Sequence, residues 1–563
     1  MNSILVLILG LVVFFIGYRV YAKHIDAKVI QADPMRATPA KQRMDGAEFM
    51  PTGKSLLFGY QFTSIAGVGP ILGPIVALQW GWLPALLWIL VSALFIGWVQ
   101  DYSSAMMAVR KEGATLGELS GKLISPRARI VLLCFIYFFL LLLAGAFGNI
   151  VVDAAIAQKT SPMAWLFLTI GGLLAGQMIY RWRKGVIHST VVCVLIALFG
   201  IWLGTVAPSD KILGTFLSSY RPFWAIAVLL FCYVAAVLPI WRFALPINYV
   251  ASYVVLLGLL FGMIGVLVLH PDFTLPAYTE FEIEIGHLWP ILFVTIGCGA
   301  VSGWHGIVSN YGTGRQLENE MDVRPVCGGA MFVEMMLALF ALILAGTIYA
   351  SSADYEAGLA KGPIGVFAGG VSKFLGALGM PYPLGKSYGG VMLIILAITV
   401  LHMVIRFMKV TMSELLGELS PLFRNAHVGT TIAIALTLIL ILTGWWRYLW
   451  LLFGESNQLM ASLALMLATA FLMSEGKSYA WTFYPMIFMF LTTTAALVVT
   501  SYKRFKAVFS GPVDGGGYAG KLLMGLLALF MVVGAILLAI EGIKAFRRYR
   551  SVPKETKRTC ARG

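Results

Sequence analysis

The stretch SIAGVGPILGPIVAL, residues Ser64–Leu78, is apolar enough to sit in lipid yet holds Gly67, Gly69, Pro70, Gly73 and Pro74. Proline lacks an amide hydrogen and its ring clashes with the carbonyl four residues back, so Pro70 and Pro74 are expected to disrupt this helix twice. Glycine lets the backbone leave helical angles at little steric cost. Freed amides and carbonyls survive at membrane depth only against protein or a water-filled cavity. Discontinuous helices of this kind build midplane sites in secondary transporters, where half-helix N-termini meet anionic groups and unwound carbonyls meet cations. The alternative is a kink that permits tight packing, since glycine favours close approach of helices in membranes. Five breakers within residues 67–74 favour a site.

The rest of the chain supplies the membrane context. Of 563 residues, 59% are hydrophobic and only 12% charged, roughly half the charged share of a soluble domain. Mean hydropathy is +0.86. Apolar runs of about twenty residues, enough to cross a hydrocarbon core of roughly 30 Å, recur throughout, and the short alternating segments of a β-barrel are absent. The fold class is an all-α polytopic membrane protein. Spans are expected near 4–22, 57–78, 82–109, 129–157, 163–181, 185–206, 223–241, 248–269, 287–311, 326–350, 388–408, 428–446, 457–474, 479–500 and 518–543. That makes about fifteen, two of them broken. The first run lacks a small-residue cleavage site and reads as an anchor helix rather than a signal peptide. The Gly-rich loop 351–387 is expected to hold a short interfacial or re-entrant helix.

The formal net charge of +15 is topogenic rather than a nucleic-acid footprint, because basic residues gather in short connections between apolar runs. Lys23, Lys28, Arg36, Lys41 and Arg43 follow the first span, Arg110, Lys111, Lys122, Arg127 and Arg129 the third, and Arg181, Arg183 and Lys184 the fifth. With Arg547, Arg548 and Arg550, all fall on one side if the N-terminus is outside and the C-terminus cytoplasmic. The acidic loop HPDFTLPAYTEFEIEIG then falls outside, whereas Lys503, Arg504 and Lys506 fall on the wrong side. Trp80, Trp82, Trp445 and Trp446 at span ends read as interfacial aromatics. Cys134, Cys193, Cys232, Cys298, Cys327 and Cys560 show no metal or redox spacing and read as small hydrophobes.

A second break is expected in TIGCGAVSGWHGIVSNYGTG, which carries Gly297, Gly299, Gly303, Gly306, Gly312 and Gly314. It runs opposite to the first, as an inverted-repeat transporter requires. Beside it lie Ser302, His305, Ser309 and Asn310. The imidazole of His305 could carry a proton near neutral pH or donate to a carboxylate, although many membrane histidines are structural. Asp101 is expected near the cytoplasmic end of its helix, free to pair with Arg110 or Lys111 or to snorkel, and is also a coupling candidate. Asn149 and Asp153 share a helix face. Glu334 and His402, the latter one turn before Arg406, are deeper polar candidates for proton coupling. Arg315, Glu318, Glu320, Asp322 and Arg324 read as a solvated cytoplasmic loop. No Walker motif, HExxH or nucleophile elbow is present, which weakens an ATP-driven pump or intramembrane protease.

Several stretches carry a family likeness: ATPAKQRMDGAEFMPTGKSLLFGYQF, SIAGVGPILGP, GWLPALLWILVSALFIGWVQDYSS, VLPIW, TIGCGAVSGWHGIVSNYGT and LWLLFGESNQLMASLALML. Together, from about Ala37 to Leu467 and including Phe453, Gly454, Asn457 and Gln458, the chain resembles the carbon starvation protein A family of bacterial inner-membrane transporters. The resemblance implies uptake of peptides or pyruvate, proton-coupled in some members, on a core resembling the amino acid–polyamine–organocation superfamily. The chain departs from the family at Tyr60 and Gln61, where two histidines are usual. It departs again at Ile247 and Asn248, which replace Arg-Asp, and at His402, which replaces an aspartate beside the retained Arg406.

These readings converge on a proton-coupled secondary active transporter, not an enzyme, that imports short peptides or a small carboxylate such as pyruvate by alternating access. Substrate is expected at Gly67, Gly69, Pro70, Gly73, Gly299, Ser302, Gly303 and His305, with proton coupling at His305, Glu334, His402 and Asp101. Partners are the small-molecule substrate, a coupling cation and the lipid bilayer, with no cofactor, metal or nucleic acid. Residues 1–56 read as an anchor helix and cytoplasmic loop, 57–474 as the transporter core, and 475–563 as C-terminal spans with a basic tail. A nutrient sensor that binds without transport and a membrane-embedded enzyme are the alternatives.

Overall fold

Apolarity on every face of a helix requires burial in protein or lipid, and the chain answers with helices throughout. The structure, a computed structural model, describes residues 1–509 and 515–551, and among these there is no strand, only three isolated bridges. Among the described residues, twelve helices are long and apolar enough to cross a membrane, or up to fourteen when two bent pairs count as spans. They are α1 Ser3–Ile30, the bent pair α2 Lys54–Ile65 and α3 Gly69–Trp80, then α4 Trp82–Arg110, α5 Pro126–Ala157, α6 Ser161–Arg181 and α7 Val186–Val206. A second bent pair follows, α8 Ser209–Ser219 and α9 Arg221–Val237, and then α10 Ala244–Leu269. After the short α11, Gly303–Ile307, come α12 Glu320–Thr347, α13 Ser352–Ala360, α14 Pro363–Gly376 and α15 Tyr382–Leu416. The remainder are α16 Ala426–Thr443, α17 Leu452–Ser474, α18 Ala480–Phe509 and α19 Gly517–Ser551. Fourteen of the fifteen expected spans have a counterpart. The segment expected at 287–311 survives only as fragments around α11, too short to count as a crossing helix.

Local signals set the helix ends. Ser125 caps α5 by accepting the Ala128 amide, with Pro126 in the first turn where its missing N–H costs nothing. Gly444 takes a left-handed conformation after α16, which only glycine adopts without strain. The loop 351–387 holds two helices, α13 and α14, rather than one.

Two ends are distinguishable by what meets there. At one, Arg110 reaches the Ile30 carbonyl, Lys477 donates to the same carbonyl, Lys111 pairs with Glu475, and Arg548 and Tyr549 bond the Leu123 carbonyl. At the other, Ser3 bonds Pro271, Thr279 bonds Gln79, and Thr274 bonds Tyr349. The basic connections thus gather opposite the N-terminus and the acidic loop, as the charge pattern demands. Helix α18 starts beside Lys477 at the basic end and runs about 45 Å, so Lys503, Arg504 and Lys506 lie toward the other end. The span count there is right, and those three charges are an exception to the pattern.

The most enclosed spans are α15 and α17, whose apolar windows are wholly buried, closely followed by α12. Helices α1, α16, α18 and α19 form the periphery, exposing residues such as Phe15, Ile439, Leu491 and Phe530 as a lipid-facing surface requires. Trp80 does not behave as an interfacial aromatic: it is fully buried, and its indole donates to the Gly286 carbonyl 3.2 Å away. Of the described cysteines, Cys193, Cys232, Cys298 and Cys327 are buried while Cys134 is exposed, and Cys560 lies outside the described residues.

Candidate functional site

The first break is single, not double. Helix α2 ends at Ile65, Gly67 N bonds back to Ile65 O at 2.7 Å, and α3 starts at Gly69 with a 43° change of direction. Pro70 sits in the first turn of α3, where proline is tolerated, and Pro74 lies inside the helix opposite the Pro70 carbonyl that it cannot bond. The second break spans Ile296–Ser302, between Phe293–Thr295 and α11.

The two broken spans lie side by side and antiparallel. Thr52, before α2, bonds the Gln316 carbonyl after the second break, and Trp80 at the far end of α3 meets Gly286 before it. Glycine makes their contact possible. A Cβ on Gly73 would stand 2.7 Å from the Thr295 carbonyl oxygen, one on Gly69 2.7 Å from Cys298, and one on Gly299 3.0 Å from Pro70 Cα. None of Gly67, Gly69, Gly73, Gly299 or Gly303 needs a positive φ, so close approach explains them better than turn geometry.

Side chains from neighbouring spans hold the freed backbone of the second break. Gln458 donates to the carbonyls of Phe293 (2.7 Å) and Ile296 (3.3 Å), and Trp88 donates to the same pair. Asn457 accepts from the Ser302 hydroxyl and the Trp304 amide, both at 3.0 Å, while its amide meets Cys298 Sγ. Gln100 donates to the Ser302 carbonyl at 2.6 Å. The break is therefore a fixed, protein-lined feature.

Against it sits a buried charged cluster. His305 on α11 has Nδ1 3.4 Å from Asp101 Oδ2 on α4 and Nε2 3.3 Å from Glu334 Oε2 on α12, and all three side chains have no exposure. Both nitrogens and all four carboxylate oxygens lack hydrogen-bond partners within the protein, as do Gln100 Oε1, Ser104 Oγ and Asn310 Oδ1 nearby. Buried polar atoms are nearly always satisfied, so this concentration of unmatched groups is unusual for the interior of a protein. Asp101 does not pair with Arg110 or Lys111: Arg110 bonds Glu320, and Lys111 bonds Glu475.

His402 belongs to a separate network. Its Nε2 lies 2.9 Å from Asn248 Oδ1, Asn248 donates to Ser64 Oγ at 2.7 Å, and the Trp304 indole donates to the Ser64 carbonyl at 2.6 Å. Two of the family departures, Asn248 and His402, are thus direct partners, and their chain reaches both broken spans. Gln61 donates to Ser309 and accepts from Thr313, while Tyr60 packs over Gly312. Asn149 and Asp153 are both held by Arg221.

A strap closes the basic end below these networks. Glu48 pairs with Arg406 (2.9 Å) and Lys409 (3.1 Å) of α15, and Gln316 donates to its carbonyl at 2.5 Å. Burial would raise the Glu48 carboxyl, but Arg406 and then Lys409 outweigh it and hold it at about 2. Arg315 lies over the rings of Phe49 and Tyr311. The segment expected to be a solvated loop is instead tied in: Glu320 is fully buried between Arg110 and Arg36, and Arg324 faces Asp26.

Sequence reasoning missed Glu48, Gln100, Cys298 and the part played by Asn457 and Gln458. It also missed Glu455, buried and bonded by Thr500 at 2.5 Å. Four successive polar residues, Glu455–Gln458, were the available signal; a hydropathy boundary at 457 left half of them outside the span, whereas α17 starts at Leu452.

A Bacillus subtilis protein named peptide transporter CstA is 28% identical, with 97% of each chain covered. An Escherichia coli protein named pyruvate/proton symporter BtsT is 32% identical over 62% of this chain and 49% of its own. Among solved structures, the Eremococcus coleocola manganese transporter aligns at 12% identity and a TM-score of 0.46, over 90% of this chain and 99% of that one. The family described as carbon starvation protein CstA matches residues 2–357 and 348–496. This multi-pass inner-membrane chain belongs to the carbon starvation protein CstA family.

Proposed function

We propose that the protein is a proton-coupled secondary active importer of short peptides or a small carboxylate such as pyruvate, carried by residues 57–474. The observation that supports this most is His305 wedged without hydrogen bonds between Asp101 and Glu334, beside the junction of two antiparallel broken spans. A proton arriving at this cluster changes its net charge in a medium of low dielectric, where the change is felt strongly by a neighbouring anion. The amides around Gly67–Gly73 and Gly297–Gly303 would receive the substrate carboxylate once the spans part, because the first turn of a helix carries unpaired N–H groups. His402 would sense the same event through Asn248, Ser64 and Trp304. Release to the cytoplasm would require the Glu48 strap to leave Arg406 and Lys409. The names of the Bacillus and Escherichia relatives support the two substrate classes and the proton.

Uptake of labelled pyruvate and of a labelled dipeptide into proteoliposomes, with and without an inward proton gradient, tests this. Accumulation of one that collapses with the gradient is expected. Binding with no accumulation of either would replace transport by sensing.

A further inference from the structure

Helices α17, α18 and α19 leave between them an outward-facing groove of about 420 Å³ on the side away from the His305 cluster. Met466, Met473, Phe483, Phe490, Ile543 and Phe546 line it, and its only charged lining residues are Arg547 and Arg550. Both arginines are exposed, and neither makes an ion pair or hydrogen bond with any described residue. They stand three apart on one face of α19, at the basic end fixed by the bonds of Arg548 and Tyr549 to Leu123.

The dimensions are those of one leaflet. From Ala539 to Arg550 the groove follows α19 for about 16 Å at 1.5 Å per residue. Half of a hydrocarbon core of roughly 30 Å is about 15 Å. Helix α17 contributes from Ser462 to Met473 and α18 from Tyr479 to Leu491, so all three helices wall the same depth. An apolar slot one leaflet deep, with two free guanidiniums at headgroup level, fits one class of molecule.

We propose that this groove is a specific site for an anionic phospholipid of the cytoplasmic leaflet. One acyl chain lies along the methionine and phenylalanine wall, and the phosphate is held by Arg547 and Arg550. The site bears on function through α17, which carries groove residues from Ser462 onward and holds the second break with Asn457 and Gln458.

Native mass spectrometry of the full chain, given phosphatidylglycerol or phosphatidylcholine with identical acyl chains, tests the site. One phosphatidylglycerol retained per chain, at least tenfold over phosphatidylcholine, is expected from two cations at the membrane surface. The double variant Arg547→Gln with Arg550→Gln, at exposed positions, should bring that ratio close to one. Leu491→Trp, on the exposed rim, should lower retention of both lipids. Equal retention of the two lipids by the unaltered protein would overturn the proposal. So would undiminished selectivity in the double variant.

Discussion

His305 Nε2 lies 3.3 Å from Glu334 Oε2, with both side chains sealed from solvent on separate helices. Neither atom has a hydrogen-bond partner, so their mutual attraction is the main compensation for taking both out of water. Removing the imidazole strands two buried carboxylates. His305→Ala is expected to abolish uptake while leaving membrane insertion unreduced, checked by proteoliposome flux against the amount reconstituted. Normal uptake in this variant would remove His305 from the mechanism.

The cluster should also respond as a unit. His305→Ala and Glu334→Gln each remove one side of a shared contact, so their effects on thermal stability should fall short of additivity by about 0.5–3 kcal/mol. Asp101→Asn belongs to the same cycle through His305 Nδ1. Unfolding midpoints of the two single variants and the double variant in detergent decide the matter. Strict additivity would mean that the 3.3 Å contact carries no energy.

The glycines at the crossing predict a graded series. Gly73→Ala forces a methyl to 2.7 Å from a backbone oxygen, and Gly299→Ala meets both Ala338 and Pro70. Each should cost about 1–3 kcal/mol, the usual range for overpacking. Gly365 in α14 has open space around its Cβ direction, so Gly365→Ala should be neutral or slightly stabilising. Equal midpoints for all three would show that the broken spans separate freely at no energetic cost.

Much of this was legible in the sequence because lipid leaves few alternatives. Spans follow from apolar run length, the placement of the N-terminus opposite the basic connections follows from lysine and arginine distribution, and both breaks follow from clustered glycine and proline. Asp101, His305 and Glu334 were each visible as intramembrane polar residues, but not as neighbours, because they lie on three helices separated by about 200 and 30 residues of chain. Nor could helical periodicity show that Asn248 meets His402, or that Glu320 is enclosed by Arg36 and Arg110. Those pairings depend on tertiary packing. The double disruption expected at Pro70 and Pro74 failed because a proline in a helix's first turn has no hydrogen bond to lose.

Asn457 shows how a break can be held without lipid-exposed backbone. One side-chain oxygen satisfies both Ser302 Oγ and Trp304 N. Asn457→Leu leaves both donors buried and unmatched, a loss of about 1–3 kcal/mol for each group. Asn457→Asp keeps the acceptor and should preserve more of the local order than leucine does. Hydrogen exchange of the Trp304 amide distinguishes them: fast in the leucine variant, slow in the aspartate variant. Equal protection in both would mean that another group caps the break.

The Glu48 strap gives a pH dependence whose sign is fixed by its partners. Arg406, Lys409 and Arg315 hold the folded carboxyl at about 2, below the ordinary glutamate value of 4.5. A depressed folded value means that the stabilisation is complete above about 4.5 and disappears as pH falls toward 2. Its size is bounded at about 3 kcal/mol by the shift, and is smaller after solvent screening of a side chain that is 28% exposed. Glu48→Gln should therefore lower the thermal midpoint by a constant amount from pH 5 to pH 8. The gap should close in more acidic buffer. The same variant removes one charge of the inner closure, so cysteines introduced above the strap should label faster from the cytoplasmic side. A midpoint gap that instead grew between pH 6 and pH 8 would assign the pairing to a group titrating near neutrality, and Glu48 would no longer be the latch.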